Sequence, residues 1–74
     1  MTATLRLVGP LKEYANGRSE LVVPSGLSVR QTLVGLGIPP EVVALVVVNE
    51  EQQNKDYILQ EQDVVRVLAV IGGG

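Results

Sequence analysis

The chain of 74 residues is 46% hydrophobic but only 3% aromatic, which allows one small domain with an aliphatic core and rules out a second. It contains no Cys and no His, so a disulfide framework, a thiolate metal site, and the commonest general base and metal ligand are all excluded. Six Lys and Arg against eight Asp and Glu give a formal charge of -2, without the basic stripe that neutralises phosphates along a nucleic acid.

Ala3 to Val8 alternates, with Leu5 and Leu7 on one side and Thr4 and Arg6 on the other, the period of a half-buried strand. Gly9-Pro10 breaks it. Pro10 then suits the first position of a short helical turn, Leu11 to Ala15, that stops at Asn16-Gly17; a hairpin turn at Asn16-Gly17 is the competing reading, and both reverse the chain. Ser19 to Val23 is a second strand, antiparallel to the first and closed by Pro24-Ser25-Gly26.

Ser28 with Gln31 three residues later is a capping box and predicts a helix start. Val29, Leu33 and Leu36 share one face of that helix, Arg30 points away, and Gly37 with Pro39-Pro40 stops it. Ala44 to Asn49 is a β-branched run and reads as the third strand. Gln52 to Gln62 is polar, anchored only by Tyr57, Ile58 and Leu59, and predicts a short strand and a turn. Val64 to Ile71 is the last strand and leads into Gly72-Gly73-Gly74.

Strands, one helix, then strands again predict an α+β fold whose helix covers one sheet face. If the last strand lies beside the first, the two are parallel and the intervening chain is the crossover. That is a β-grasp (ubiquitin-like) arrangement: a mixed sheet of four to five strands with one main helix. Residues 1–71 would form this domain and residues 72–74 a flexible glycine tail. The longest apolar run, Val42 to Val48, is far short of the roughly 20 residues that cross a bilayer. With no charged segment leading into an apolar one, the expectation is a soluble, cytoplasmic protein without membrane contact.

No internal residues form a catalytic set. Glu50, Glu51, Asp56, Glu61 and Asp63 cluster in the second half, where an acid–base pair is conceivable but a solvated loop edge is the simpler reading. Ser25, Ser28 and Thr32 have no His to activate them and read as turn or cap residues. Gly35-Leu36-Gly37 lacks the strand and spacing of a phosphate loop and reads as helix termination. The three terminal glycines differ in kind. They follow directly on a Val-rich strand, and glycine can lie extended in a narrow slot, which makes the α-carboxylate a presentable functional group.

The sequence resembles the MoaD/ThiS family of ubiquitin-like sulfur carriers over nearly its whole length. The residues that carry the resemblance are Leu7-Val8-Gly9-Pro10-Leu11, Ser25-Gly26-Leu27-Ser28-Val29, Leu36-Gly37-Ile38-Pro39, Val47-Val48-Asn49, Leu59, Asp63-Val64 and the terminal glycines. The resemblance implies a carrier, not an enzyme. A partner adenylyltransferase resembling the ubiquitin-activating enzymes would use ATP to adenylate the Gly74 carboxylate, and a sulfur donor would then make the thiocarboxylate. Gly72 and Gly73 would thread into the partner's active site. No cofactor or metal would be bound, and the sulfur would pass to an acceptor, such as a synthase of which this chain could be the small subunit, in molybdopterin or thiamine biosynthesis. The alternative is a ubiquitin-like modifier joined through Gly74 to lysines, Lys12 and Lys55 of its own kind included. A third reading is a β-grasp binding module with an inert tail. Two departures stand out: Gln62-Asp63 replaces the family's usual Gly-Asp, and a third glycine extends the tail. The absence of proline in Leu68 to Ile71 leans toward the thiamine branch, and the length and the Pro10-to-Asn16 insertion lean toward the molybdopterin branch.

Alternation also predicts the partner surface. If Val65, Val67 and Ala69 face the helix, then Arg66, Leu68 and Val70 face away, on the side of Thr4, Arg6 and Val8. Leu68, Val70 and Val8 would form an exposed apolar patch rimmed by Arg6 and Arg66, unless the segment from Glu50 to Gln62 folds over it.

Overall fold

The computed structural model describes residues 1–69; Val70, Ile71 and Gly72 to Gly74 lie outside the described residues. The elements in chain order are β1 (Thr2–Leu7), a 3₁₀ turn (Gly9–Ala15), β2 (Glu20–Pro24), α1 (Val29–Gly35), a second 3₁₀ turn (Pro40–Val42), β3 (Val43–Val48), β4 (Glu51–Gln53) and β5 (Val64–Ala69). They build one five-stranded mixed sheet in the order β2-β1-β5-β3-β4. β1 and β5 are parallel, with Leu5 opposite Val65 and Leu7 opposite Val67, and the other pairs are antiparallel. This is the ubiquitin-like β-grasp fold of the α+β class.

Each expected element forms, and its boundaries have local causes. The first 3₁₀ turn starts at Gly9, one residue before the expected Pro10, and Asn16 closes it with φ 57°, a left-handed conformation that asparagine tolerates. β2 ends one residue later than the predicted strand, at Pro24. Because β2 is an edge strand, the missing N–H of Pro24 costs no ladder bond. β3 begins at Val43 and ends at Val48, one residue earlier at each end than the expected Ala44 to Asn49. A register shift between Val43 and Leu45 pushes Ala44 out to solvent and keeps Val43, Val46 and Val48 buried.

The capping box forms as predicted. Gln31 N–H donates to Ser28 Oγ at 3.0 Å and Ser28 N–H donates to Gln31 Oε1 at 2.9 Å. Two further helix-entry donors are met by the polar segment passing beneath: Val29 N–H reaches Tyr57 O and Arg30 N–H reaches Lys55 O, both at 2.9 Å. That segment is thereby tied to the helix side of the sheet, and it does not cover the other face. Leu59 from the same segment enters the core at 1% exposure. The helix stops because Gly37 takes φ 80°, which residues with a Cβ rarely adopt.

The core lies between α1 and the inner face of the sheet. Val29 and Leu33 of the helix join Leu5, Leu7, Val46, Val48, Val65 and Val67 of the strands in one buried cluster, closed at its ends by Leu11 and Ile38. Leu36 packs against this cluster half-buried. Among the described residues no helix is long and apolar enough to cross a membrane.

Candidate functional site

Among the described residues, no element covers the sheet face away from the helix. Its residues follow from strand alternation and register. Arg6 of β1 stands beside Arg66 of β5, Arg66 beside Val47 of β3, Leu68 beside Leu45, Thr4 beside Val64, and Val22 of β2 beside Thr4. Arg6 pairs with Glu20 across β1 and β2, Nε to Oε2 at 3.2 Å, with both side chains 55% exposed. Arg66 is exposed and belongs to neither of the two ion pairs among the described residues.

The residues expected to form a partner surface are distributed unevenly on this face. Arg6 and Arg66 are exposed neighbours, and Val8 is exposed at the end of the extended run that continues β1. Leu68 is only half-buried, next to Leu45 in the register. The exposed apolar area therefore comes from Val22, at 74%, and from Val64 and Val8, both at 40%, of which alternation had indicated Val8 alone. Val70, Gly72, Gly73 and Gly74 lie outside the described residues. A shallow hollow on this face is lined by Arg6, Val47, Asn49, Glu50, Val64 and Arg66.

One member of the acidic group departs from the expected solvated loop edge. Asp63 is 6% exposed, and its carboxylate accepts three hydrogen bonds: from Asn49 Nδ2 to Oδ1, and from Tyr57 Oη and Gln60 N–H to Oδ2, each at 2.8 Å. Burial alone would raise its pKa. The Gln60, Tyr57 and Asn49 donors outweigh burial and hold it below the usual carboxylate value. The Tyr57 hydroxyl is pushed up, first by its bond to Asp63 and then by burial and the nearby Asp63 and Glu51 charges. Asp63 also anchors the sheet by its backbone, since its carbonyl accepts Thr4 N–H at 2.8 Å. These contacts tie the turn into β5 to β1, the β3–β4 turn and the 57–60 segment. The Gln62-Asp63 pair was a visible signal for this turn, but its donors come from residues up to 14 positions away.

A wider cleft opens near the start of α1, lined by Arg30, Gln52 to Asp56 and the first half of β3. Its charges are already engaged: Arg30 Nε lies 3.3 Å from Asp56 Oδ1, and Lys55 Nζ donates to Pro40 O at 2.6 Å. The uncovered sheet face is thus where unpaired charge and exposed apolar area meet.

A family model described as the ThiS family matches residues 5–74. No curated protein sequence matches the chain. Among solved structures, SAMP1 from Haloferax volcanii is similar at a TM-score of 0.70 and 19% identity, covering 100% of both chains. A chain from Pyrococcus furiosus assigned as molybdopterin converting factor, subunit 1, is similar at a TM-score of 0.72 and 18% identity, covering 96% of this chain and 99% of that one. At those identities the structural likeness speaks to the fold.

Proposed function

Because the chain belongs to the ThiS family of small ubiquitin-like sulfur carriers, we propose that it works as a substrate whose terminal carboxylate carries sulfur. The carboxylate oxygen of Gly74 attacks the α-phosphorus of ATP on a partner adenylyltransferase. Pyrophosphate leaves, and the acyl adenylate that forms has AMP as a good leaving group. Sulfide released by a donor then attacks the acyl carbon, AMP leaves, and a thiocarboxylate remains that delivers sulfur to an acceptor such as a synthase subunit. ATP belongs to the partner, and the chain binds no cofactor of its own. The receiving pathway makes a cofactor of the molybdopterin or thiamine type.

The observation that carries this reading is the family match, which extends through the glycines to residue 74. It is consistent with the residue set, since a carrier whose partner supplies the catalysis needs neither Cys nor His. In this reading Gly72 and Gly73 form a tail that threads into the partner's active site. Residues 1–71 fold as the domain that docks through the uncovered sheet face, with Arg6, Val8, Arg66, Leu68 and Val70 at the contact.

Intact-mass measurement tests it. Incubation with the adenylating enzyme, ATP and a sulfur source should add the increment of oxygen replaced by sulfur, and deleting Gly73-Gly74 should abolish that gain while leaving stability unchanged. If the wild-type chain never gains the increment while a known carrier does under the same conditions, the reading fails. Isopeptide remnants of the tail on target lysines, without thiocarboxylate, would make the chain a protein modifier.

A further inference from the structure

The hairpin between β3 and β4 turns through two residues only, since Val48 pairs directly with Glu51. Both turn residues have positive φ, 49° at Asn49 and 72° at Glu50, as a type I′ turn requires. Asn49 suits its place. Its Nδ2 donates to Asp63 Oδ1 at 2.8 Å and its Oδ1 accepts Val64 N–H at 2.9 Å, so both ends of the side-chain amide are bonded inside the fold. Glu50 does not suit its place, because that position favours glycine and a side chain there is strained.

Among the described residues no side-chain hydrogen bond or ion pair of Glu50 offsets this strain, which the β3–β4 ladder alone holds. Glu50 is exposed, and neither ion pair among the described residues includes it. It lines the hollow on the uncovered face together with Arg66, the other charge there that has no ion-pair partner among the described residues. A strained residue whose side chain is left unused by the fold, beside a second unused charge, points to a role outside the chain.

We propose that Glu50 and Arg66 form a two-charge reader that selects the adenylating partner, an inference that rests on the sulfur-carrier reading. The partner presents the reverse couple, a Lys or Arg toward Glu50 and an Asp or Glu toward Arg66, over the apolar floor of Val47 and Val64. A free ion does not fit this hollow. An anion drawn to Arg66 meets the Glu50 carboxylate, and a cation drawn to Glu50 meets Arg6 and Arg66. A protein surface can satisfy both signs at once and covers the apolar floor as well.

Binding of the adenylating enzyme, measured by calorimetry across a salt series, tests the proposal on the wild type and on Glu50→Gly, Glu50→Gln and Arg66→Gln. Glu50→Gly should melt higher, by about 4 °C, because the strain is relieved. It should nevertheless bind about fivefold more weakly, with a shallower salt dependence. Glu50→Gln keeps the strained side chain, so it should bind more weakly without melting higher, and Arg66→Gln should lose a similar amount of affinity. If the wild type is adenylated and all three variants bind as it does, the two-charge reader is wrong and the carrier reading stands. If the wild type is neither bound nor adenylated, the carrier reading fails and takes this inference with it. A dimer of the isolated protein in sedimentation, lost in Glu50→Gly, would assign the couple to a second copy of the chain and overturn the proposal.

Discussion

Tyr57 Oη sits 2.8 Å from Asp63 Oδ2, so a phenol and a carboxylate six residues apart share one proton-donating contact beneath the turn into β5. The contact gives the fold a pH dependence at both ends. Asp63 has its pKa lowered in the folded state, so its contribution is fully present above the unfolded value of about 3.9 and is lost as pH falls through the folded value. Tyr57 has its pKa raised, so its contribution is fully present below about 10 and is lost as pH rises through the folded value. Urea titrations at stepped pH should show both losses. Tyr57→Phe should flatten the alkaline one at a cost of about 1 kcal/mol near neutrality. Asp63→Ala strands three donors and should cost roughly 3 kcal/mol. A Tyr57→Phe protein with an unchanged alkaline arm would place the titrating group elsewhere.

Gln62, next to this network, adopts φ 69°, a left-handed conformation in which glycine is the usual residue. The turn keeps its geometry without that glycine because Gln62 N–H donates to Thr2 O and Asp63 N–H donates to Gln60 O, at 2.8 and 3.1 Å. The left-handed conformation costs a residue with a Cβ about 1 to 2 kcal/mol, against roughly 0.5 to 1 kcal/mol of extra chain entropy lost by glycine. Gln62→Gly should therefore stabilise the protein by up to about 1 kcal/mol, and Gln62→Ala should not. A glycine variant that unfolds at lower urea than the wild type would show that the glutamine side chain contributes more than its strain costs.

How far the sequence revealed these features depended on the range of the interactions behind them. The alternation of Leu5 and Leu7, and the box of Ser28 and Gln31, are local patterns, so the first strand and the helix entry were legible. Val42 to Val48 is apolar throughout and carries no phase, so the start of β3 and the bulge at Ala44 were set by pairing with β5 and could not be read. The Asp63 network escaped for the same reason, since it draws donors from residues 49, 57 and 60, which only the folded chain brings together. On the uncovered face alternation placed the arginines correctly, but the half-burial of Leu68 depends on Leu45 from another strand. The strain at Glu50 gave no signal because the turn lacks the glycine that would have marked it.

Leu33 is 0% exposed on the inner face of α1, in the same cluster as Val29, Val65 and Val67. Removing most of its side chain loses transfer energy and leaves a cavity that a short helix over a sheet closes only in part. Leu33→Ala should cost about 2 to 5 kcal/mol by denaturant titration, a large share of the margin of a small domain. A loss below about 1 kcal/mol, the range of a surface substitution, would contradict the packing of α1 on β5.

Val67 and Leu68 are adjacent in β5 and point to opposite faces, which separates folding from docking in one pair of substitutions. Val67 is 0% exposed between β1 and β3, so a carboxylate there would be buried without a donor, and Val67→Asp should unfold the protein. Leu68 is half-buried beside Leu45 on the uncovered face, and a carboxylate there can turn toward water and toward Arg66. Leu68→Asp should cost only about 1 kcal/mol of stability. If the uncovered face docks the adenylating enzyme, the same change should weaken binding at least tenfold, about 1.4 kcal/mol, because it puts a carboxylate beside Arg66 on the contact face. Calorimetry with the folded variant decides the matter: Leu68→Asp binding as tightly as the wild type would place the docking surface elsewhere on the domain.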